Sequence, residues 1–313
     1  MLTDFLSYLD DPAAAWEGEG LKYKGKIIPV REGAPRFVEH ASYSEGNFSK
    51  LRERHAAMQM DSQNATTDRY QTILERTGWP EDFFKGKTIL ECGAGAGPDT
   101  EILIKLGARV VACDLHIEAA RANLPENESL SLVQASILDL PFRKKAFDIV
   151  WCHRVIQHTP NPEATLNHIL QFVKDDGAVF VHSYARTAVQ MLRWKYALRP
   201  FTKNMDPEKL YNMIKGYAPF AFQFTNMMRK IPGGRYFNFF FVPFLNYRHV
   251  PKYAPLSDAE MIEYGVHDTF DALSPAFDSP ISAGTLEKYA RQYLKKPFEI
   301  ERQPTITLLR TKV

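Results

Sequence analysis

The sequence predicts an α/β fold, a doubly wound and mostly parallel sheet with an N-terminal extension and an inserted helical cap. Three observations predict it. Between 87 and 185, apolar runs of strand length alternate with helical periods, the pattern of a parallel sheet covered on both faces. The stretch KTILECGAGAGPDTEILIKLGARVVACD, 87–114, reads as strand, glycine turn, helix, strand, acid. The chemistry-bearing residues of this region fall at strand ends, where open α/β sheets bind ligands.

The elements follow in order. Residues 1–40 hold short apolar clusters broken by Gly18, Gly20, Gly25, Pro29 and Gly33, with brief strands at 26–30 and 36–38 in a hairpin segment. Residues 41–85 read as a helical lead-in. Phe48, Leu51, His55, Met58 and Met60 partly fit helical spacing, as do Tyr70, Ile73 and Leu74, and 64–68 is a break carrying a cap. The core, 86–185, should place strands at 87–92, 109–114, 130–135, 146–152 and 177–183, with helices near 98–106, 116–123 and 162–173. Residues 186–256 differ in composition. Their first 67 positions, 186–252, carry twelve Lys/Arg against two Asp/Glu and fifteen aromatic residues, and prolines divide them into short helical pieces. Residues 257–313 resume the core pattern, with a helix over 285–293 and strands at 298–300 and 305–309.

Composition narrows the class. The 313 residues carry a net charge of only +2, so the average charge selects no partner, although the cap is strongly basic. Cys92, Cys113 and Cys152 form neither a disulfide framework nor a paired metal-ligand spacing; they read as small core fillers in a reducing compartment, and no metal is expected. No uninterrupted apolar run reaches the roughly 18 residues needed to cross a bilayer. The first residues lack a basic n-region, so a cytoplasmic protein is expected.

The glycine turn carries the chemistry. Gly93, Gly95 and Gly97 permit positive φ and let a ligand approach the backbone without a Cβ in the way. The helix behind them offers unpaired N–H groups. Asp114, about 20 residues on, is placed to accept from a ribose diol. A nicotinamide-linked dehydrogenase would want G-x-G-x-x-G with a pyrophosphate on the helix N-terminus. Here the spacing is G-x-G-x-G, and Glu91 just ahead disfavours pyrophosphate and suits an amino group or a cationic centre.

At this point the sequence resembles the class I S-adenosylmethionine-dependent methyltransferases, whose first motif, acid-x-G-x-G-x-G, is matched by Glu91, Gly93, Gly95 and Gly97. The resemblance implies a Rossmann-like seven-stranded sheet closed by one antiparallel strand, S-adenosyl-L-methionine as cofactor, and methyl transfer to an O or N of a small molecule. It places Leu115 beside the adenine. Where the family carries an acid that reads the adenine amine this sequence has Ser136, which with the Ile137 N–H is favoured over Asp139 as edge reader. The run 146–158 matches the family's fourth motif: Cys152 lies at the strand end under the transferable methyl, and His153 and His158 are the candidates for proton handling. The family's leading helices fold over the cofactor, which makes Tyr43, Arg52 and Gln59 candidate contacts. The phrase GKIIPVREGAPRFVE resembles a zinc-ribbon-like segment without its cysteine pairs, so only the hairpin shape is expected and no zinc. The basic, aromatic cap should choose the acceptor: an anionic small molecule, a lipid-linked one reached at a membrane surface, or RNA. A non-catalytic S-adenosyl-nucleotide-binding protein is the rival from another class.

Overall fold

A computed structural model describes residues 1–38 and 60–313. The lead-in candidates Tyr43, Arg52 and Gln59 lie outside the described residues. Two compact units emerge among those described: one made of 1–38, 60–186 and 277–313, the other of 187–276.

The first unit holds two sheets. A four-stranded antiparallel sheet joins β1 (Ala15–Glu17), β2 (Gly20–Tyr23), β3 (Lys26–Arg31) and β4 (Ala34–Pro35) in sequence order. The strand expected at 26–30 is β3. The one expected at 36–38 is not a strand. Arg36 makes an isolated bridge to Gln134, and the Phe37 N–H donates to the Gln134 carbonyl at 2.8 Å. That segment therefore ties the small sheet to the edge of the large one.

The large sheet has seven strands: β5 (Thr88–Cys92), β6 (Arg109–Asp114), β7 (Leu130–Gln134), β8 (Phe147–His153), β9 (Val173–Tyr184), β10 (Phe298–Arg302) and β11 (Ile306–Thr311), in the spatial order β10-β11-β9-β8-β5-β6-β7. Pairs β8–β9, β5–β8, β5–β6 and β6–β7 are parallel, and β11 runs antiparallel to both its neighbours. The fold is thus Rossmann-like, as expected. Side chains alternate along each strand. Leu90, Val111 and Val150 enter one apolar cluster, and Ile89, Val110 and Ile149 enter the other. Helices Pro162–Ile169 and Ala283–Tyr293 contribute to the first cluster, and helices Asp68–Thr77 and Pro98–Lys105 to the second. Successive connections leave β5 on opposite sides, so its carboxyl end, beside that of β8, is the topological switch point.

Local chemistry sets several boundaries. A break falls at 64–68 as expected, with Ala65 at φ 51°. Its capping group is different: Asp61 accepts from the Arg69 and Tyr70 N–H groups at 3.0 and 2.9 Å, while the Thr67 side chain caps nothing. The helix expected over 162–173 ends at Ile169 and closes in a 3₁₀ turn, Leu170–Phe172.

The second unit is helical, with Trp194–Thr202, Pro207–Met228, Gly234–Phe241 and Asp258–Leu273 as its longer helices. It extends to 276, beyond the expected boundary at 256, because the last helix buries Met261, Val266, Phe270 and Leu273 and sets Phe270 against Tyr211 at 5.8 Å between ring centroids. Helices Pro207–Met228 and Gly234–Phe241 are held together by the buried Asn238, which donates to the Thr225 carbonyl at 2.9 Å. Gly234 is required at the turn between them: a Cβ there would lie 1.7 Å from the Met228 carbonyl oxygen. Gly216 meets nothing within 4 Å. Substitution G216A should therefore stabilise the chain by about 1 kcal/mol through helix propensity, and G234A should destabilise it. Urea denaturation followed by near-ultraviolet circular dichroism separates the two signs.

Candidate active site

The crevice is built from the loops that follow β5 and β8. Gly93, Gly95 and Gly97 all have positive φ, at 90°, 60° and 91°. A Cβ on Gly93 would come 2.4 Å from Val155, and one on Gly97 2.7 Å from Leu124. The glycines thus serve two needs, a left-handed backbone and close packing of the neighbouring segment. Asp114 shapes the loop directly. Its Oδ2 accepts from the Gly95 N–H at 2.8 Å and its Oδ1 from the His116 N–H at 3.1 Å, so the end of β6 fixes the turn after β5. A carboxylate oxygen accepts more than one hydrogen bond, so these contacts leave its chemistry compatible with a diol.

Glu91, at the end of β5, is 2% exposed and accepts from the Thr100 hydroxyl at 2.6 Å. Burial, reinforced by the nearby Asp99 charge, pushes its pKa up to about 8. Leu115 gives its carbonyl to the Gln134 amide at 2.8 Å. Ser136 Oγ accepts from the Leu138 N–H at 3.2 Å, so Ser136 caps the turn in which Asp139 is exposed and Ile137 buried. Cys152 is buried in the core with Cys92 and Cys113, and burial pushes its thiol up to about 12, which leaves it inert.

The two histidines differ. His158 Nδ1 donates to the Phe277 carbonyl at 3.1 Å, which puts the lone pair of the neutral ring on Nε2. His153 has both ring nitrogens engaged, Nδ1 with Asp99 Oδ2 at 2.7 Å and Nε2 with Arg76 Nη1 at 2.7 Å. Burial pushes its pKa down to about 3 against the pull of Asp99. The ring is therefore neutral: a guanidinium donates to Nε2, and Nδ1 carries the proton given to Asp99.

Asp99 is the residue that sequence reasoning missed. It sits in the first turn of the helix behind the glycines, where an acid reads as an ordinary complement to the helix dipole. Here it is 4% exposed, accepts from Trp151 Nε1 at 2.8 Å and His153 Nδ1 at 2.7 Å, and pairs with Arg69 Nε at 2.5 Å. Although burial works the other way, Arg69 and His153 hold its carboxyl far below the usual carboxylate range. Arg69 and Arg76, seven positions apart, share one face of the helix Asp68–Thr77, and burial with the charges of Arg154 and Arg69 lowers Arg76 to about 10. Arg154, exposed at the end of β8, has φ 62°. Gln157 is fully buried, and its amide has no hydrogen-bond partner among the described residues.

The sheet order and the glycine crevice at its switch point define a nucleotide-binding α/β domain. Comparison with known proteins refines that class. Residues 90–181 match the family described as "Methyltransferase domain", so this part of the core is similar to S-adenosylmethionine-dependent methyltransferases. The demethylmenaquinone methyltransferase of Thermobifida fusca is 27% identical over 140 residues, covering 40% of this chain and 59% of its own. The ubiquinone biosynthesis O-methyltransferase of Azoarcus sp. is 34% identical over 109 residues, covering 32% and 46%. The chain thus spans about half the length of the curated relatives it matches. Among solved structures, the S-adenosylmethionine-dependent methyltransferase of Mesorhizobium loti is 13% identical, with 78% of this chain and 98% of that one covered at a TM-score of 0.44.

Two measurements test this electrostatic arrangement. Asp99→Asn keeps the side-chain shape but leaves Arg69 without its counter-charge, and should lower unfolding free energy by about 3–5 kcal/mol in urea; a loss under about 1 kcal/mol would dissolve the claim. Glu91 titrates in the ordinary carboxylate range when unfolded and near 8 when folded. Between those values the folded state holds the extra proton, so its contribution is complete below the window and is lost as pH rises through it. The wild-type melting temperature should accordingly fall more steeply than that of Glu91→Gln between about pH 5 and about pH 9.

Proposed function

We propose that the chain is a methyltransferase that moves the methyl of S-adenosylmethionine to an O or N of a small, lipid-linked or anionic molecule in a biosynthetic pathway. The observation that carries the reading is the glycine crevice whose shape is fixed by Asp114 at one side and whose floor holds Glu91. The residues fit the cofactor: the Gly93–Gly97 cradle leaves backbone for the methionine and ribose portion. Asp114 would accept from the ribose hydroxyls, Glu91 would orient the loop and the amine end, Leu115 and Ile137 would flank the adenine, and Ser136 with the Ile137 N–H would read its edge. The bound cofactor supplies an activated methyl on a sulfonium.

Acceptor chemistry follows from what surrounds β8. His153 is closed to proton transfer by its own partners, so its role is to position Asp99 and Arg76 rather than to act as a base. His158 Nε2 is the better proton acceptor. Three guanidiniums, Arg69, Arg76 and Arg154, against the single ionised Asp99 favour an acceptor that is anionic or ionises on binding. An already ionised oxygen needs no dedicated base, and alignment then supplies much of the rate, with effective molarities up to roughly 10⁵ M and above. The buried Gln157 amide is a candidate contact for such an acceptor. The names of the relatives support a quinone-type acceptor. The engaged His153 also lends some weight to a second reading, a domain that binds the nucleotide without turnover.

Asp114→Ala and Gly95→Val should each abolish S-adenosylmethionine binding by calorimetry; undiminished affinity in both would overturn the cofactor assignment. Release of S-adenosylhomocysteine from wild type supplied with a cell extract separates turnover from binding alone.

A further inference from the structure

The helical unit 187–276 carries an outward face that its own core does not explain. In the helix Pro207–Met228, Leu210, Ile214, Ala218, Ala221, Phe222 and Thr225 are buried. The rest of the helix surface should be polar if it met only water. A second side, next to the buried one, carries instead Met213, Phe220, Phe224, Met227 and, just beyond the helix, Ile231, at successive steps of seven, four, three and four residues. Phe220 is 74% exposed and Met227 52%. The stripe continues onto the neighbouring helix Gly234–Phe241. Phe224 meets Phe237 at 6.4 Å between ring centroids, Phe237 meets Phe241 at 5.3 Å, and Phe241 is 67% exposed. Phe220 stacks on Phe224 at 6.0 Å. Four phenylalanines therefore form one continuous ridge across two helices that Asn238 and Gly234 lock together.

The stretch that carries the ridge is basic. Lys209, Lys215, Arg229, Lys230 and Arg235 are all exposed, and 186–252 holds twelve Lys/Arg against two acids, Asp206 and Glu208. By helical spacing Lys209 lies on the side of the ridge and Lys230 flanks it. This charge decides the occupant. A second copy of the same stretch would set two basic surfaces against each other. An apolar ridge on a basic stretch matches the boundary between headgroups and acyl chains of an anionic bilayer, where rings enter the apolar layer and cations meet phosphates. No helix among the described residues is long and apolar enough to cross a membrane, so the attachment lies in the surface plane.

We propose that the ridge Phe220–Phe224–Phe237–Phe241, on its basic stretch of chain, is a docking surface for the face of an anionic phospholipid bilayer. The test is co-sedimentation of the full chain with vesicles of phosphatidylcholine and phosphatidylglycerol, against phosphatidylcholine alone. Binding to the anionic vesicles only, weakened as salt rises, is expected. The double substitution F220E/F241E, at outward positions, should lower the partition coefficient at least about tenfold, with the melting curve unchanged. If that variant misfolds, K230S/R235S provides the second measure and should weaken binding and flatten its salt dependence. The proposal fails if the wild type stays in solution with anionic vesicles at low salt, or if the folded double variant or, where that misfolds, K230S/R235S binds undiminished. It also fails if single-stranded RNA is bound more tightly than vesicles, or if the ridge is buried in a stable dimer. None of these readings requires S-adenosylmethionine, so the methyltransferase reading stands or falls separately.

Discussion

The Asp99 carboxylate holds the crevice together. Three segments meet on it: the helix behind the glycine turn that carries it, β8 through Trp151 and His153, and the helix Asp68–Thr77, through Arg69 and, one step further, through Arg76 on His153. Burying a carboxylate and a guanidinium costs several kcal/mol per ion unless their remaining groups are bonded. Here Trp151 Nε1 and His153 Nδ1 both donate to Oδ2, while Arg69 Nε faces Oδ1 as an ion pair without a hydrogen bond among the described residues. Because the partners come from different parts of the chain, the pair fixes how the loop after β5 sits against the loop after β8. Gly93 then lets those loops approach to contact, its missing Cβ leaving the space Val155 fills.

That anchor has an electrostatic consequence for its neighbours. Burial, reinforced by the ionised Asp99 a short distance away, holds Glu91 in the protonated form well above the ordinary carboxylate range. His153 is driven the opposite way and stays neutral. His182, paired with it across β8 and β9 with ring centroids 4.9 Å apart, is also pushed well below its usual value by burial. The floor of the crevice thus contains one fixed anion, neutral imidazoles, a neutral acid and guanidiniums. A cationic ligand near Glu91 would favour its ionisation, so the protonation of this acid is coupled to what the crevice holds.

What was legible in the sequence was what is local. The glycine turn, its flanking strands and Asp114 lie within 87–114, and the shape of this unit follows from backbone geometry that the residues themselves dictate. The order of strands and the closing hairpin were legible for the same reason. Asp99, Arg69, Arg76 and His153 were not, because nothing in their separate surroundings says that they meet: an acid in a first helical turn and arginines on a helix are the commonest surface residues. Asp61 capping the Arg69 and Tyr70 N–H groups is a similar case, a tertiary partner displacing the expected local one. The segment 36–38 had strand composition but found one bridge to Gln134 instead of a ladder. The end of the inserted unit was misplaced because the helix Asp258–Leu273 is acidic at its start, unlike the basic stretch before it, while its packing face belongs to that stretch.

The composition of the inserted unit has its own physical logic. A helix that is apolar on a second side as well as on its buried one gains nothing from water on the outer side, and a contiguous bare apolar patch ordinarily promotes aggregation. Two features of this unit oppose that outcome. Ring-on-ring contacts along Phe220, Phe224, Phe237 and Phe241 shield part of each phenyl surface, and the net positive charge of the stretch raises the cost of bringing two copies together. The same charge would attract an anionic surface over roughly a Debye length, about 8–10 Å at physiological salt, before any ring made contact. Charge would then set the rate of encounter and the rings the residence time, so the two halves of the surface answer to different variables, ionic strength for the first and apolar area for the second.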